Sequence, residues 1–151
     1  MNRVLLAIED RRIRRAIFTR LLLDDCAIAE ADSVAQAEEA LRAWDGAFDL
    51  LVLDDNLLDG TGWDVLRRLA RRLPVANEPA WRHEARPRVV VLACQRPAPC
   101  RMDEFHPDAV LIKPFPLRAL ELLVVRLLRG EAAEEDLGES GTLSAIAALP
   151  R

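Results

Sequence analysis

The stretch Leu50-Leu51-Val52-Leu53-Asp54 is an unbroken apolar run of four residues followed by a carboxylate. A strand that is apolar at every position, rather than at every second one, is typical of a parallel sheet that is covered on both faces. Four further runs, one of them weaker, have the same character and lie at residues 4–8, 26–31, 89–93 and 109–112. Together the five runs predict five parallel strands in an α/β domain.

Amphipathic segments separate these runs. Apolar side chains at helical spacing occur in four of them, residues 13–21, 34–44, 66–73 and 117–129. Ser33 followed by Gln36 predicts a capping box at the start of one helix, and Pro116 suits the start of the last helix. The connections at 74–88 and 95–107 are interrupted by prolines, so any helix in the second must be short. The alternation predicts a flavodoxin-like, doubly wound, five-stranded parallel sheet in the order 2-1-3-4-5.

Composition limits the class of protein. The chain has 151 residues, 51% of them hydrophobic and 30% charged, which fits one globular domain with a short appendage. We predict a domain at residues 1–129 and an acidic linker and tail at 130–151. Residues 141–149 resemble the opening strand of a small α/β module of the PATAN type, and the alternative for them is a disordered end.

Charge and cysteine content exclude further classes. The formal net charge of −4 argues against general nucleic-acid binding. No apolar run approaches the roughly 20 residues of a membrane helix, and arginines soon after residue 10 interrupt any signal core. The three cysteines lack paired metal-ligand spacing, so we expect reduced thiols. These features predict a cytoplasmic protein that does not contact a membrane.

Charged residues follow three of the predicted strands. Glu9 and Asp10 come after the first, Asp54 ends the third, and Lys113 comes after the fifth. Lys113 is the only lysine, since every other basic residue is an arginine. Ligands of open α/β sheets bind at the carboxyl ends of the strands, so we expect these side chains to converge. Each acid alone could be a turn or cap residue, but carboxylates beside an ammonium suit Mg²⁺ and phosphoryl transfer.

On these residues, about 3–129 of the chain resemble a receiver domain of bacterial two-component response regulators. The matching stretches are residues 4–10, residues 49–54 with Gly62 eight positions after the last of them, and Lys113-Pro114-Phe115. The three stretches in this order and spacing are more specific than any one alone. The resemblance implies that Asp54 accepts a phosphoryl group from a histidine kinase or a phosphotransfer protein.

The resemblance also implies roles for the surrounding residues. Glu9 and Asp10 correspond to the acidic pair that holds Mg²⁺ together with Asp54 and the backbone carbonyl of Asn56. Lys113 corresponds to the lysine that pairs with the acceptor and then with the phosphoryl oxygens. In the family the peptide bond between this lysine and the following proline is cis, and we expect the same here.

Two positions depart from the family pattern. Receiver domains carry threonine or serine at the end of the fourth strand and an aromatic residue three positions before the lysine. Ala93 and Val110 stand at these switch positions, so signal output along the usual path is in question. Asp55 adds a second charge beside the acceptor, but strand alternation predicts that it points away from Asp54. Leu58 replaces a proline that is usual in the family.

Three hypotheses follow. The first is an atypical receiver, a phosphoacceptor signalling domain rather than an enzyme, that acts on an effector protein. The second is a pseudo-receiver, a protein-interaction module that does not depend on phosphate. The third is a phosphatase of the haloacid-dehalogenase type, disfavoured because Asn56 stands where that family has a second aspartate. The strongly apolar last helix is either buried or a face for a partner or a homodimer.

Overall fold

The computed structural model describes residues 1–72, 86–131 and 145–147. The strands are β1 (Arg3–Ala7), β2 (Ala27–Ala31), β3 (Leu50–Asp54), β4 (Arg88–Ala93), β5 (Ala109–Ile112) and β6 (Ala145–Ala147). The helices are α1 (Arg11–Leu23), α2 (Val34–Ala43), α3 (Gly62–Ala70), α4 (Pro99–Phe105) and α5 (Leu117–Leu128). Most of the predicted connection at 74–88 and most of the tail lie outside the described residues.

The strands form one sheet in the order β2-β1-β3-β4-β5-β6. The first five are parallel, which confirms the predicted flavodoxin-like fold and its strand order. The short β6 lies antiparallel to β5 and extends the sheet beyond the predicted five strands. The division into a domain at 1–129 and a tail at 130–151 stays a prediction.

Both faces of the sheet are buried, as the unbroken apolar runs predict. Along β3, Leu51 and Leu53 pack in a cluster with α2 and α3, while Leu50 and Val52 pack in a second cluster with α1 and α5. All four side chains are fully buried. The two-layer burial fixes the strand register and therefore the positions at which the strands end.

Local hydrogen bonds fix where the helices begin. Ser33 caps α2 through the N–H of Gln36, but the Gln36 side chain accepts from the N–H of Asp32, so only half of the predicted capping box forms. A full capping box, which the sequence analysis did not predict, joins Thr61 and Asp64 at the start of α3. The helix in the proline-rich connection, α4, is short, as predicted.

The described residues contain no helix that is long and apolar enough to cross a bilayer.

Candidate functional site

The centre of the site is a contact between Asp54 and Lys113. Asp54 ends β3 and is only 3% exposed, and Lys113 follows β5 at the same edge of the sheet. The Lys113 Nζ donates to Asp54 Oδ1 over 2.5 Å, and the N–H of Asn56 donates to the same oxygen over 3.1 Å. No hydrogen bond from the described residues reaches Oδ2. Asp54 therefore keeps one carboxylate oxygen for chemistry.

The environment of Lys113 favours its charged form. Burial of the ammonium opposes the charge, but the hydrogen bond to Asp54 and the charges of Asp54 and Asp55 outweigh burial and raise the pKa of Lys113 above its usual value. The peptide bond between Lys113 and Pro114 is cis, as expected. The N–H of Lys113 donates to the carbonyl of Ala93 over 2.8 Å, which fixes the lysine backbone against the end of β4.

Asp55 is closer to the site than strand alternation predicts. Its Oδ1 lies 3.7 Å from the Lys113 Nζ, so both acids contact one ammonium. Its Oδ2 accepts the backbone N–H of Cys94 over 3.0 Å. Asp55 therefore contacts the same ammonium as Asp54, a contact that strand alternation alone does not predict.

Glu9 and Asp10 lie beyond the end of β1 and are exposed. Asp10 is the N-cap of α1, where its Oδ1 accepts the N–H groups of Arg12 and Ile13. Glu9 lines an open groove that also contains Arg14. Among the described residues, no three His, Cys, Asp or Glu side chains are grouped so that they could hold a metal ion. The structure thus brings Asp54 and Lys113 together, but it does not gather the three acids into a metal cluster.

The chemical nature of the donor atoms near Asp54 suits Mg²⁺. Carboxylates and a backbone carbonyl are hard oxygen ligands of the kind that Mg²⁺ prefers, and it commonly keeps several waters. The Oδ2 of Asp54 receives no hydrogen bond from the described residues, so it can serve as one ligand. Asp10 also accepts only through Oδ1, which leaves its second oxygen.

The two switch positions are buried in the core. Ala93 is 1% exposed, Val110 is fully buried, and both belong to the apolar cluster that also contains Phe105. The methyl group of Ala93 cannot donate a hydrogen bond, so it cannot do what a hydroxyl at this position would do.

Gly62 packs directly against the backbone of Asp54. A Cβ at this position would lie 2.5 Å from the carbonyl oxygen of Asp54 and 3.0 Å from the Cβ of Leu53. Only glycine therefore lets α3 begin so close to the end of β3. This contact gives a physical reason for the glycine eight residues after Asp54.

Comparisons with known proteins agree with this geometry. No family model and no curated protein matches the chain. Among solved structures, the receiver domain of HemR from Leptospira biflexa is 26% identical with a TM-score of 0.67, over 85% of this chain and 94% of that one. The chemotaxis protein CheY4 of Vibrio cholerae is 17% identical with a TM-score of 0.64, over 84% and 98% of the two chains.

A third similar structure is the receiver domain of the Francisella response regulator 1452. It is 19% identical with a TM-score of 0.64, over 86% of this chain and 98% of that one. The chain therefore has the fold of a response-regulator receiver domain, and the predicted recognition is confirmed at this level.

Proposed function

We propose that this chain is a response-regulator receiver in which Asp54 accepts a phosphoryl group from a phosphohistidine of a kinase or phosphotransfer protein. The observation that carries the proposal is the 2.5 Å contact between the Lys113 Nζ and Oδ1 of an almost buried Asp54. It places the only ammonium side chain of the protein on the acceptor while the other oxygen receives no hydrogen bond from the described residues. The chain acts as a phosphoacceptor and not as a turnover enzyme.

The transfer is a displacement at phosphorus. An oxygen of Asp54 forms the new O–P bond while the P–N bond to the donor imidazole breaks, and the electron pair of that bond returns to the imidazole nitrogen. Lys113 already contacts the carboxylate and can follow the added negative charge onto the phosphoryl oxygens. Asp54 and the Asn56 carbonyl would hold Mg²⁺ together with Glu9 and Asp10, the two exposed acids that are not grouped with Asp54 in the described part of the chain. The ion would neutralise charge on the transferred group.

The output of this receiver is atypical. Both switch positions are apolar and buried, so phosphorylation cannot act through a hydroxyl at position 93 or an aromatic ring at position 110. The same observation favours the second candidate function, a pseudo-receiver that binds an effector protein irrespective of phosphate. The partners in either case are proteins and not nucleic acid, and phosphotransfer from a kinase implies a cytoplasmic location.

The last helix offers limited surface for a homodimer. Most apolar side chains of α5 are buried in the domain core, including Leu120, Leu123 and Leu127. Leu117 and Leu122 remain exposed. A homodimer through this helix would therefore rest on these two leucines.

The test is phosphorylation by a small donor. The protein is incubated with acetyl phosphate and Mg²⁺, and the intact mass is measured. We expect the mass of one added phosphoryl group, its loss in Asp54→Asn, and its retention in Asp49→Asn, an acid just before the start of β3. No adduct, or an adduct that persists in Asp54→Asn, would contradict the proposal. An adduct that leaves effector affinity unchanged would favour the pseudo-receiver.

A further inference from the structure

Three strand ends meet at the site in the order β3, β4 and β5. Backbone hydrogen bonds hold them side by side: the N–H of Asp55 donates to the carbonyl of Leu92 over 2.8 Å, and the N–H of Lys113 donates to that of Ala93 over 2.8 Å. Three side chains that follow neighbouring strand ends therefore lie close to one another: those of Asp55, Cys94 and Lys113.

The contacts among these residues form a chain. Lys113 contacts Asp54 at 2.5 Å and Asp55 at 3.7 Å. The opposite oxygen of Asp55 accepts the N–H of Cys94, and the Cys94 Sγ lies 3.8 Å from Asp55 Oδ1. Cys94 is the first residue of the loop that leads from β4 to α4. Asp55 thus touches both the ammonium of the acceptor site and the backbone of that loop.

We propose that Asp55 is a positioning residue that couples the charge state of the acceptor site to the loop after β4. The ammonium is shared between two carboxylates, so a gain of negative charge at Asp54 draws Lys113 away from Asp55. Asp55 then lacks its cation and is repelled by the added negative charge at Asp54. As a result, the hydrogen bond that Asp55 accepts from the N–H of Cys94 weakens. The path needs no side-chain donor from Ala93, which is buried and apolar.

This coupling deepens the proposed function. Only the part of the test that uses phosphorylation rests on that function. The charge-sharing arm can be tested without phosphate, because removal of the Lys113 ammonium also leaves Asp55 without its cation. A purely structural Asp55, which merely caps the loop, would hold Cys94 equally well with or without Lys113. The exchange rate of the Cys94 amide separates the two readings.

The experiment measures hydrogen exchange of the Cys94 amide by NMR in isotopically labelled protein, with core amides of β4 as the reference for global stability. We expect Lys113→Met to speed exchange at Cys94 by about tenfold relative to that reference. Without the shared ammonium the carboxylates of Asp54 and Asp55 repel each other, and the hydrogen bond that Asp55 accepts from the Cys94 amide weakens. Lys113→Gln, which keeps a polar head, is the second variant if the first unfolds the domain.

The controls isolate Asp55. Asp55→Asn keeps an acceptor for the Cys94 amide but removes the charge, so adding Lys113→Met in that background should change exchange at Cys94 less than about twofold. Asp49→Val is the matched control, since the carboxylate of Asp49 accepts the backbone N–H of Arg3 at the other edge of the sheet. It should leave Cys94 unchanged.

Acetyl phosphate with Mg²⁺ supplies the second arm, and intact mass is read on the same sample. An adduct on Asp54 accompanied by faster exchange at Cys94 supports the coupling. Exchange at Cys94 that is unchanged both in the lysine variants and on phosphorylation overturns the coupling, while the adduct itself upholds phosphate acceptance. Absence of an adduct counts against the proposed function, and the lysine variants then decide the coupling alone.

Discussion

Two buried acids occupy opposite edges of the sheet, and their surroundings differ. Asp54 lies at the carboxyl edge and is 3% exposed, while Asp108 lies at the amino edge and is 8% exposed. Asp108 Oδ2 accepts the N–H of Val89 over 2.8 Å and lies 3.6 Å from Arg86, and its Oδ1 lies 3.2 Å from Arg88. Both oxygens of Asp108 are engaged, whereas only one oxygen of Asp54 is.

The difference shows what separates a structural charge cluster from a site. Burial raises the pKa of Asp108, although the hydrogen bond from Val89 and the charge of Arg88 act in the opposite direction. Both carboxylate oxygens of Asp108 contact arginines or a backbone N–H. Such a cluster fixes the backbone but leaves no oxygen for chemistry. Asp54 combines an available oxygen with a lysine, whose compact ammonium can follow a moving charge.

The largest expected effect on stability comes from the amino edge. Asp108→Ala removes the negative charge beside two arginines and the acceptor of the Val89 N–H, so we expect a loss of about 3–5 kcal/mol in the free energy of unfolding. Asp54→Asn should change it by less than about 1 kcal/mol, because the lysine that remains is partly exposed and still has Asp55. Urea denaturation measures both, and equal losses would contradict the comparison.

The next effect is on the chemistry at the carboxyl edge. Lys113→Arg keeps the positive charge but replaces a compact ammonium by a wide planar group, which cannot occupy the same place against Asp54 and Asp55. We expect the rate of phosphorylation by acetyl phosphate to fall by about 10 to 100-fold with little change in unfolding free energy. Arg88→Lys is the matched exchange at the amino edge and should leave the rate unchanged. A normal rate in Lys113→Arg would remove the special role of the lysine.

A smaller effect is expected where the start of α3 meets the backbone of Asp54. Gly62→Ala places a methyl group against the carbonyl of Asp54, so α3 or the end of β3 must shift, at a cost of about 1–3 kcal/mol. Gly130→Ala is the control: its surroundings are open, and only its positive φ of 79° opposes the substitution. If Gly62→Ala lowers stability no more than Gly130→Ala does, the close contact is not a constraint.

Much of the fold could be predicted from the sequence because burial on both faces leaves a strong pattern. β5 matches its apolar run, and the other four parallel strands differ from theirs by one residue at one or both ends. Strand β6 could not be predicted as part of this sheet, since Ala145-Ile146-Ala147 carries no periodic signal and its partner is distant in sequence. Pairing of that kind depends on tertiary contacts.

The site could be predicted only in part. The neighbouring positions of β3, β4 and β5 make the approach of Lys113 to Asp54 foreseeable from the strand order alone. The contact between Asp55 and Lys113 was missed because strand alternation gives the direction of the Asp55 side chain but not the reach of the long, flexible lysine. The cap that Asp10 forms on α1 competes with its assignment as a metal ligand, and the signal for it, an acid just before an amphipathic helix, was present in the sequence.

The smallest expected effect tests the charge balance at Lys113 directly. Its pKa in the folded protein is raised above its usual value of 10.5, so the stabilisation that it contributes is complete below about pH 10.5 and is lost as the pH rises through the folded value. The chain has no tyrosine and no second lysine, and arginines stay charged in this range. Burial raises the pKa of Cys26 into the same range, but Cys26 is present in both proteins, so the comparison with Lys113→Met isolates the contribution of Lys113. We therefore expect the unfolding free energy of the wild-type protein, relative to Lys113→Met, to be constant from pH 9 to about pH 10 and then to fall by no more than about 1 kcal/mol. Urea denaturation of both proteins across this range measures the difference. A gap that is flat or widens above pH 10.5 would mean that the two carboxylates do not hold the ammonium in the folded state.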